Sequence, residues 1–298
     1  RAPEATSATR TDTPIKETPL SVQVVDQTLI RDKAMTTPAD LINVVPGVQQ
    51  VVGYGNTPSQ WFIIRGISNG AVSYRDGYRV SEIYTPRDLA NVERVEFVKG
   101  PSSVLYGQAQ PAGAVNTITK TPLAYDYNYL SMSAGSWSKF RLTADLNRNY
   151  SNLGVRLNLA ADTGDSYVKY EEPKTWLIAP TAILKITRDA ELLYSGEFHH
   201  TRIDGFSNGL PMADGVFDLP AGATVSQPWA RLNNKNTSHR LELKVNLTDK
   251  WTLRQGFYTS TTKRNYRGVS PAFNQFDGTP LADYPIMYNA GPTDDQRN

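Results

Sequence analysis

Residues 153–162 read LGVRLNLAAD, and the alternation within this stretch decides the fold. Apolar side chains occupy its odd positions, whereas Arg156, Asn158 and Asp162 lie at even positions between them. A period of two is typical of a β-strand with one apolar face and one polar face. The stretch is also about 10 residues long, which is the length that a tilted strand needs to cross a membrane.

Six further segments after residue 122 have a similar length or alternate in the same way, namely 125–134, 140–147, 176–186, 191–198, 240–247 and 251–258. Pro180 weakens the strand predicted at 176–186, because proline donates no hydrogen bond to a sheet. Short connections (149–152, 187–190 and 248–250) alternate with long ones (164–175, 199–238 and 267–298), and only 135–138 departs from this order. Short turns at one end and long loops at the other are typical of outer-membrane barrels. A large soluble β-protein remains the alternative.

Charged residues are concentrated on one face of these strands. In lipid, each of them would cost roughly 2–4 kcal/mol near the bilayer midplane, so we expect this face to line a polar lumen. Seven strands would leave an open edge, which hydrocarbon does not tolerate. We therefore expect the chain to be part of a longer protein whose further strands close the barrel.

The residues before 122 follow a different pattern, with short mixed elements separated by Gly and Pro. Asp26 is expected to cap a short helix, and Thr37 followed by Pro38 is expected to start another. Asp76-Gly77 predicts a hairpin turn, and residues 92–98 and 114–118 predict strands. This combination indicates a compact α+β domain.

Composition excludes several classes of protein. The chain of 298 residues has 31 basic and 29 acidic residues, so it lacks the basic surface typical of nucleic-acid binding. It has no cysteine, which excludes disulfides and thiolate metal sites. His199 and His200 are adjacent on a strand and point to opposite faces, so they cannot hold one metal ion together. No catalytic motif stands out, and we expect neither an enzyme nor a resident cofactor.

Residues 91–120, NVERVEFVKGPSSVLYGQAQPAGAVNTITK, resemble the signature that ends the plug domain of TonB-dependent outer-membrane receptors. The stretches 13–25, 40–48 and 62–66 are similar to earlier plug blocks of that family, in the same order. The likeness is greatest to the ferric-siderophore branch. It implies an α+β plug domain, residues 1–122, inside a 22-stranded transmembrane antiparallel β-barrel. Residues 123–298 would supply the first part of that barrel, with about seven strands.

The same resemblance implies an importer in the outer membrane of a Gram-negative bacterium. It would take up a ferric siderophore, so that iron arrives as a chelate, and would be driven by TonB with ExbB and ExbD through the proton-motive force. Its TonB box would lie upstream of Arg1. Outer-membrane lipid and lipopolysaccharide would surround it, and we expect a monomer. Haem, cobalamin or a sugar are alternative ligands, and a passive porin is an alternative function.

Two sets of residues are candidates for this function. A chelate pocket should be aromatic with a few hydrogen-bond donors. Ligand contacts are therefore expected from loop residues Tyr54, Gln60, Tyr78, Glu82, Tyr84, Gln108, His200, Trp229 and Tyr266, although each could instead be an exposed or locally packed side chain. A plug–barrel latch is expected from Arg65, Glu93, Arg94, Glu96 and Lys99, with Glu191, Glu197 and Glu242 as barrel-side partners. Arg65 and Arg94 correspond to the family's plug arginines.

Overall fold

The computed structural model describes residues 21–51, 61–68, 73–80, 87–100, 111–206, 222–224 and 226–271. It also gives the backbone of four short strands, β1 (Glu4–Ala5), β2 (Thr13–Pro14), β18 (Ile286–Ala290) and β19 (Asp294–Arg297). Within this part of the chain, no helix is both long and apolar enough to cross a membrane.

Between residues 21 and 119, the N-terminal domain contains two sheets and two short helices, and β1 pairs with β2 as a separate two-stranded sheet. Its elements are β3 (Ser21–Asp26), α1 (Gln27–Asp32), a 3₁₀ helix (Pro38–Asn43), β4 (Val48–Gln50), β5 (Phe62–Ile64), β6 (Ile67–Ser68), β7 (Ser73–Arg75), β8 (Tyr78–Val80), β9 (Val92–Lys99) and β10 (Gly113–Thr119). One sheet has the order β3-β9-β10-β7-β8, with β7 parallel to β10, and the other has the order β4-β5-β6. The α+β prediction for this domain is confirmed.

Local sequence signals account for the short elements of this domain. The carboxylate of Asp26 accepts a hydrogen bond from the backbone N–H of Leu29 at 2.8 Å and so caps α1. Asp40 accepts from the backbone N–H of Thr37 at 2.9 Å and so closes the start of the 3₁₀ helix. The Asp76-Gly77 turn joins β7 to β8 with φ of 51° and 84° at its two residues, as a type I′ hairpin requires.

One main apolar core holds this domain together, beside a smaller cluster of Tyr74, Val98 and Ala114. The main core contains Leu41, Phe62, Ile64 and Phe97, which are among the largest fully buried side chains. The rings of Phe62 and Phe97 pack edge to face with their centroids 5.9 Å apart, which joins the small sheet to the larger one.

The second half of the chain forms one antiparallel sheet of nine strands, of which seven are long. The long ones are β11 (Tyr127–Gly135), β12 (Lys139–Asn149), β13 (Leu153–Thr163), β14 (Glu172–Lys185), β15 (Ala190–Asp204), β16 (Arg231–Thr248) and β17 (Trp251–Pro271). Each pairs with the next along the chain, and β17 also pairs with β18 and β19. The seven predicted strands are confirmed, and the predicted domain boundary at residue 122 falls between β10 and β11.

The faces of this long sheet are reversed relative to those of a soluble protein. Its inward face buries polar groups, among them Asp145, Asn158 and Asn236. Its outward face exposes large apolar side chains, among them Leu130, Phe257 and Trp251, which is 72% exposed. This arrangement is unfavourable for a sheet surrounded by water. It is favourable for a sheet whose outward face contacts lipid and whose inward face contacts polar groups.

Several strands are longer than the hydrophobic pattern predicted. The expected loop 199–238 shrinks to 205–230, because β15 continues to Asp204 and β16 begins at Arg231. The extensions carry polar side chains outward, so they lack the apolar alternation that marked the rest. Pro180 lies within β14, where the pairing with β15 is interrupted between Ile178 and Thr181. A break at this point is what a missing N–H group would produce.

Candidate functional site

The carboxylate of Glu197 is the main point at which the N-terminal domain is fixed to the long sheet. Glu197 points inward from β15 and is 4% exposed. It accepts hydrogen bonds from Arg75, from Arg87 at 2.9 Å and from the side-chain amide of Asn91 at 2.7 Å. All three donors belong to the N-terminal domain, so one barrel carboxylate holds two separate segments of it.

A second junction lies where the chain passes from one domain to the other. Asp145 on β12 forms two hydrogen bonds of 2.8 Å with Arg156 on β13 and one of 3.0 Å with Lys120. Lys120 also donates to the carbonyl of Ala90 at 2.7 Å. Burial lowers the pKa of Lys120, and the charge of Asp145 opposes that shift. The carboxylate of Asp145 therefore favours the charged form of this buried lysine.

Two more ion pairs cross between the domains. The guanidinium of Arg141 on β12 donates hydrogen bonds of 2.8 and 2.7 Å to the carboxylate of Asp88. Its contact with Asp162 is longer, at 3.4 Å. Arg240 on β16 lies 3.3 Å from Asp76, at the tip of the β7–β8 hairpin. Removing one partner of such a buried pair typically costs about 3–5 kcal/mol, since the other charge stays buried without compensation. These four junctions fix the position of the N-terminal domain.

An aromatic contact strengthens the hairpin junction. Tyr78 of the hairpin stacks on Tyr258 of β17, with ring centroids 5.2 Å apart and an angle of 16° between the planes. Gly256 lies directly beneath the hydroxyl of Tyr78, and a Cβ atom at this position would collide with that oxygen. Glycine at this position therefore allows the hairpin to approach β17 of the long sheet closely.

A cavity of about 480 Å³ lies between the N-terminal domain and the end of the sheet that carries the long connections. Thr36, Thr37, Arg87 and Asp88 line it from the N-terminal domain. The sheet contributes, among others, Lys139, Arg141, Asp162, His199 and Thr201, and the β13–β14 connection contributes Tyr167 and Glu171. The cavity therefore offers charges of both signs, hydroxyl groups and an aromatic ring.

His199 is the least satisfied polar group of this cavity. It is 2% exposed, and neither of its ring nitrogens has a hydrogen-bond partner among the described residues. At the rim, Trp137 and Tyr167 pack edge to face with their centroids 6.2 Å apart. Burial raises the pKa of Glu171, and the charge of Lys139 opposes that shift. These groups suit a bulky polar ligand with both donors and acceptors. Among the described residues, no cluster of three or more His, Cys, Asp or Glu side chains could hold a metal ion.

The predicted ligand residues lie in several places. Tyr54, Gln60, Glu82, Tyr84 and Gln108 fall outside the described residues. Tyr78 contributes to the hairpin junction, and Trp229 is 39% exposed in the β15–β16 connection. Tyr266 packs inward against Ile203, Phe206 and Leu232. Their role in ligand binding stays a prediction.

His200 lies on the outward face of the sheet. Its ring nitrogens contact the indole N–H of Trp176 at 3.1 Å and the side chain of Asn233 at 2.5 Å. The alternation of β15 therefore separates it from the cavity, which its neighbour His199 lines instead.

The described contacts of the predicted latch residues lie within the N-terminal domain, and their role as a latch stays a prediction. Arg94 pairs with Glu96 at 2.6 Å, Lys99 donates to Gln23 at 2.9 Å, and Arg65 donates to Ser21 at 3.2 Å, all within the N-terminal domain. Glu93 is half-buried there. Burial lowers the pKa of Lys99, with a smaller contribution from the charge of Arg65. Glu93, Arg94, Glu96 and Lys99 belong to β9, an inner strand of the larger sheet of this domain, and only Glu96 is buried.

Of the predicted barrel-side partners, Glu197 holds the N-terminal domain. Glu191 pairs with Lys244 and Glu242 pairs with Arg240, both within the long sheet. The described junctions use a set that sequence reasoning missed on the N-terminal side, namely Arg75, Asp76, Arg87, Asp88, Asn91 and Lys120. The sequence around Asp76-Gly77 could have indicated this role, because charged side chains at the tip of a hairpin can reach a neighbouring surface.

Comparisons with known proteins agree with this architecture. A family model described as the TonB-dependent receptor plug domain matches residues 14–114. The metal-pseudopaline receptor of Pseudomonas aeruginosa is 32% identical over 260 residues, which make up 85% of this chain and 36% of that receptor. The ferrioxamine receptor of Yersinia enterocolitica is 26% identical over 268 residues, 83% of this chain and 36% of that receptor. The chain thus spans little more than a third of the length of these curated relatives.

Solved structures show the same fold. The siderophore receptor PiuA from Acinetobacter baumannii superposes with a TM-score of 0.80 at 26% identity, over 87% of this chain and 38% of that one. The ferripyoverdine receptor of Pseudomonas aeruginosa superposes with a TM-score of 0.85 at 20% identity, over 94% of this chain and 38% of that one. The plug match, the relatives and the inside-out sheet lead to one conclusion: the chain belongs to the TonB-dependent receptors, a family of outer-membrane transporters rather than enzymes, and comprises a plug domain with the first part of its barrel.

Proposed function

We propose that the protein is an outer-membrane receptor that imports a ferric siderophore, driven by TonB and the proton-motive force. The observation that carries this proposal is the seating of a plug-family domain against the polar face of the wall. It is held there mainly by charged junctions, with a smaller contribution from the stack of Tyr78 on Tyr258 and from Ala90 packed against Leu177. Buried charged pairs fix the position of the plug, and water can hydrate the separated charges when the plug moves, which it could not do for a separated apolar interface.

The cavity supports a ligand of this chemical kind. Siderophore chelates are bulky, partly apolar and rich in oxygen acceptors. Trp137 and Tyr167 would contact the organic part of the chelator, while Lys139 and His199 would donate hydrogen bonds to its oxygens. The names of two relatives, a ferrioxamine receptor and a metal-pseudopaline receptor, favour a metal chelate over haem, cobalamin or a sugar. Iron would arrive already chelated, so the receptor needs no resident cofactor.

The proposal includes the remaining partners. TonB, with ExbB and ExbD, would pull on a TonB box. The barrel would sit as a monomer in outer-membrane lipid and lipopolysaccharide, with its long connections facing the cell exterior.

Titration of the full-length receptor with ferrioxamine, a ferric catecholate and haem tests the ligand class. We expect saturable binding of at least one ferric siderophore and none of haem. Lys139→Gln should weaken that binding by about five- to tenfold, since one charged hydrogen bond to the ligand is lost. Lys185→Gln, at the short-turn end of β14, is the matched control and should bind as the wild type does. If none of the chelates binds, the siderophore assignment is wrong.

Uptake of radiolabelled ferric siderophore into cells tests the energy coupling. We expect uptake in cells that produce the receptor and its loss when TonB is deleted. Equal uptake without TonB would instead support a passive pore.

A second candidate ligand is a chelate of another transition metal. The relatives described as metal-pseudopaline receptors are 32% and 31% identical to this chain, and their name does not restrict the metal to iron. Adding pseudopaline complexes to the same titration separates the two candidates, since preferential binding of a complex without iron would favour the second.

A further inference from the structure

The imidazole of His199 is a buried base that the described part of the protein leaves without a hydrogen-bond partner. The side chain lines the cavity of about 480 Å³ beside Thr201 and Arg87, and it is 2% exposed. Neither ring nitrogen has a hydrogen-bond partner among the described residues. A buried polar group without a partner costs about 1–3 kcal/mol. A molecule that enters the cavity can supply that partner, so this imidazole is available to a bound ligand.

The carboxylates that line the described part of this cavity already have cationic neighbours. Asp88 and Asp162 both contact Arg141, at 2.7 and 3.4 Å. Glu171 faces the charge of Lys139. These oxygen atoms are therefore occupied within the protein, and the imidazole is the side chain that a metal ion in the cavity would meet without first breaking an ion pair.

His199 is also the one strong nitrogen or sulfur ligand that the chain turns inward. The chain has no cysteine and three histidines, all within the described residues. His200 contacts Trp176 on the outward face, and His239 contacts Tyr194, which shares that face of β15. Neutral imidazole is a favoured ligand for iron, nickel, copper and zinc. Burial disfavours the protonated form, so the ring is held in the state that can coordinate a metal.

We propose that His199 coordinates the metal of an imported chelate that leaves a coordination position open. One ring nitrogen would give its lone pair to the metal, and the water that filled this position would leave, so the exchange requires no proton or electron. A chelate without an open position would instead receive a hydrogen bond from His199, as proposed above. The inference rests on the proposed import of a metal chelate. It adds a preference for chelators that have too few donor atoms to surround the metal.

Two matched pairs of iron complexes test this preference in the detergent-solubilised full-length receptor. One pair compares ferrioxamine, a tris-hydroxamate, with the one-to-one complex of a linear bis-hydroxamate, and the other compares a tris-catecholate with a linear bis-catecholate. The bis-chelators leave positions of the iron open, whereas the tris-chelators fill them. His199→Gln should weaken binding of a bis-chelate by about 30- to 100-fold, since even an outer-shell partner of a metal ligand contributes about 10- to 100-fold. Binding of a tris-chelate should weaken by about fivefold or less, because the glutamine amide still donates a hydrogen bond.

Two controls separate lost coordination from misfolding. His239→Gln makes the same substitution on the outward face and should bind every complex as the wild type does. Added imidazole should restore bis-chelate binding by His199→Ala, because the free base can occupy the space that the side chain vacated and coordinate the metal in its place.

Pulsed electron paramagnetic resonance of the copper(II) bis-catecholate complex gives a measurement that does not depend on affinity. A coordinated imidazole holds its second nitrogen near the copper. Labelling the histidines of the receptor with nitrogen-15 should therefore change the echo modulation in the wild type, whereas it should leave that of His199→Gln unchanged.

Three results would overturn the proposal. They are an equal loss of bis- and tris-chelate binding in His199→Gln, binding of tris-chelates but of neither bis-chelate by the wild type, and an echo modulation that does not respond to labelling. Binding of a tris-chelate by the wild type would support the import function in each of these cases. Failure of all the iron complexes to bind would instead contradict that function itself.

Discussion

Replacing Glu197 by alanine should loosen the plug without disturbing the wall. The substitution leaves the guanidinium groups of Arg75 and Arg87 buried without their carboxylate, and their side chains are 5% and 3% exposed. Loss of one partner from a buried pair costs about 3–5 kcal/mol. At about 1.4 kcal/mol per factor of ten, local opening of the plug should become roughly 10²- to 4 × 10³-fold more frequent.

Hydrogen exchange of the full-length receptor, followed by mass spectrometry, measures this opening directly. Amides of β7 and of residues 87–91 should exchange faster by that factor, while amides of β12 and β13 keep their wild-type rates. Glu191→Ala is the matched control, because its ion pair with Lys244 is exposed and lies within the wall. An exposed pair contributes at most about 1 kcal/mol. Equal plug exchange in the wild type and Glu197→Ala would refute the reasoning.

Three further substitutions probe the other contacts. Gly256→Ala should destabilise the receptor by about 1–3 kcal/mol through its collision with the hydroxyl of Tyr78, and the added Tyr78→Phe should restore part of that loss in a double-mutant cycle of melting temperatures. Leu241→Lys, outward and near the expected midplane, should cost about 2–4 kcal/mol in unfolding from lipid vesicles, whereas the inward Thr252→Lys should change it by about 0.5 kcal/mol or less. Asp145→Asn should cost about 3–5 kcal/mol in chemical denaturation, because it leaves two buried cations without a carboxylate, and an effect below about 1 kcal/mol would contradict the assigned junction.

The strands of the long sheet could be predicted well from the sequence, because their apolar and polar residues alternate with a period of two. The alternation at 153–162 reflects lipid on one side and a polar filling on the other, and each residue repeats that information. This alternation stops where the strands extend beyond the expected apolar part of the membrane. Residues 231–237 form part of β16 yet were predicted as loop, since their outward side chains are charged or polar rather than apolar.

The contacts between domains were harder to predict, because a charged residue does not specify its partner. Arg94 and Glu96 lie in the strongest family motif, but the described ion pair joins them to each other. Asp76 seemed only a turn residue, although the hairpin carries it to Arg240 on a strand far along the chain. Alternation along β15 predicts that His199 and His200 point to opposite faces of the sheet. It does not predict which of the two lines the cavity until one face has been assigned as inward.

The four junctions differ widely in sequence separation, and this difference bears on the order of assembly. Lys120 and Asp145 are 25 residues apart, whereas Arg75 and Glu197 are 122 apart. Closing the longer loop costs about 1.4 kcal/mol more in chain entropy, roughly a tenfold bias. The Lys120–Asp145 junction should therefore form first. Glu197 should bind its partners in the N-terminal domain only after β15 has joined the sheet. A nascent receptor stalled before residue 190 would hold its plug by the Lys120–Asp145 and Asp88–Arg141 junctions, without those of Glu197 and Arg240.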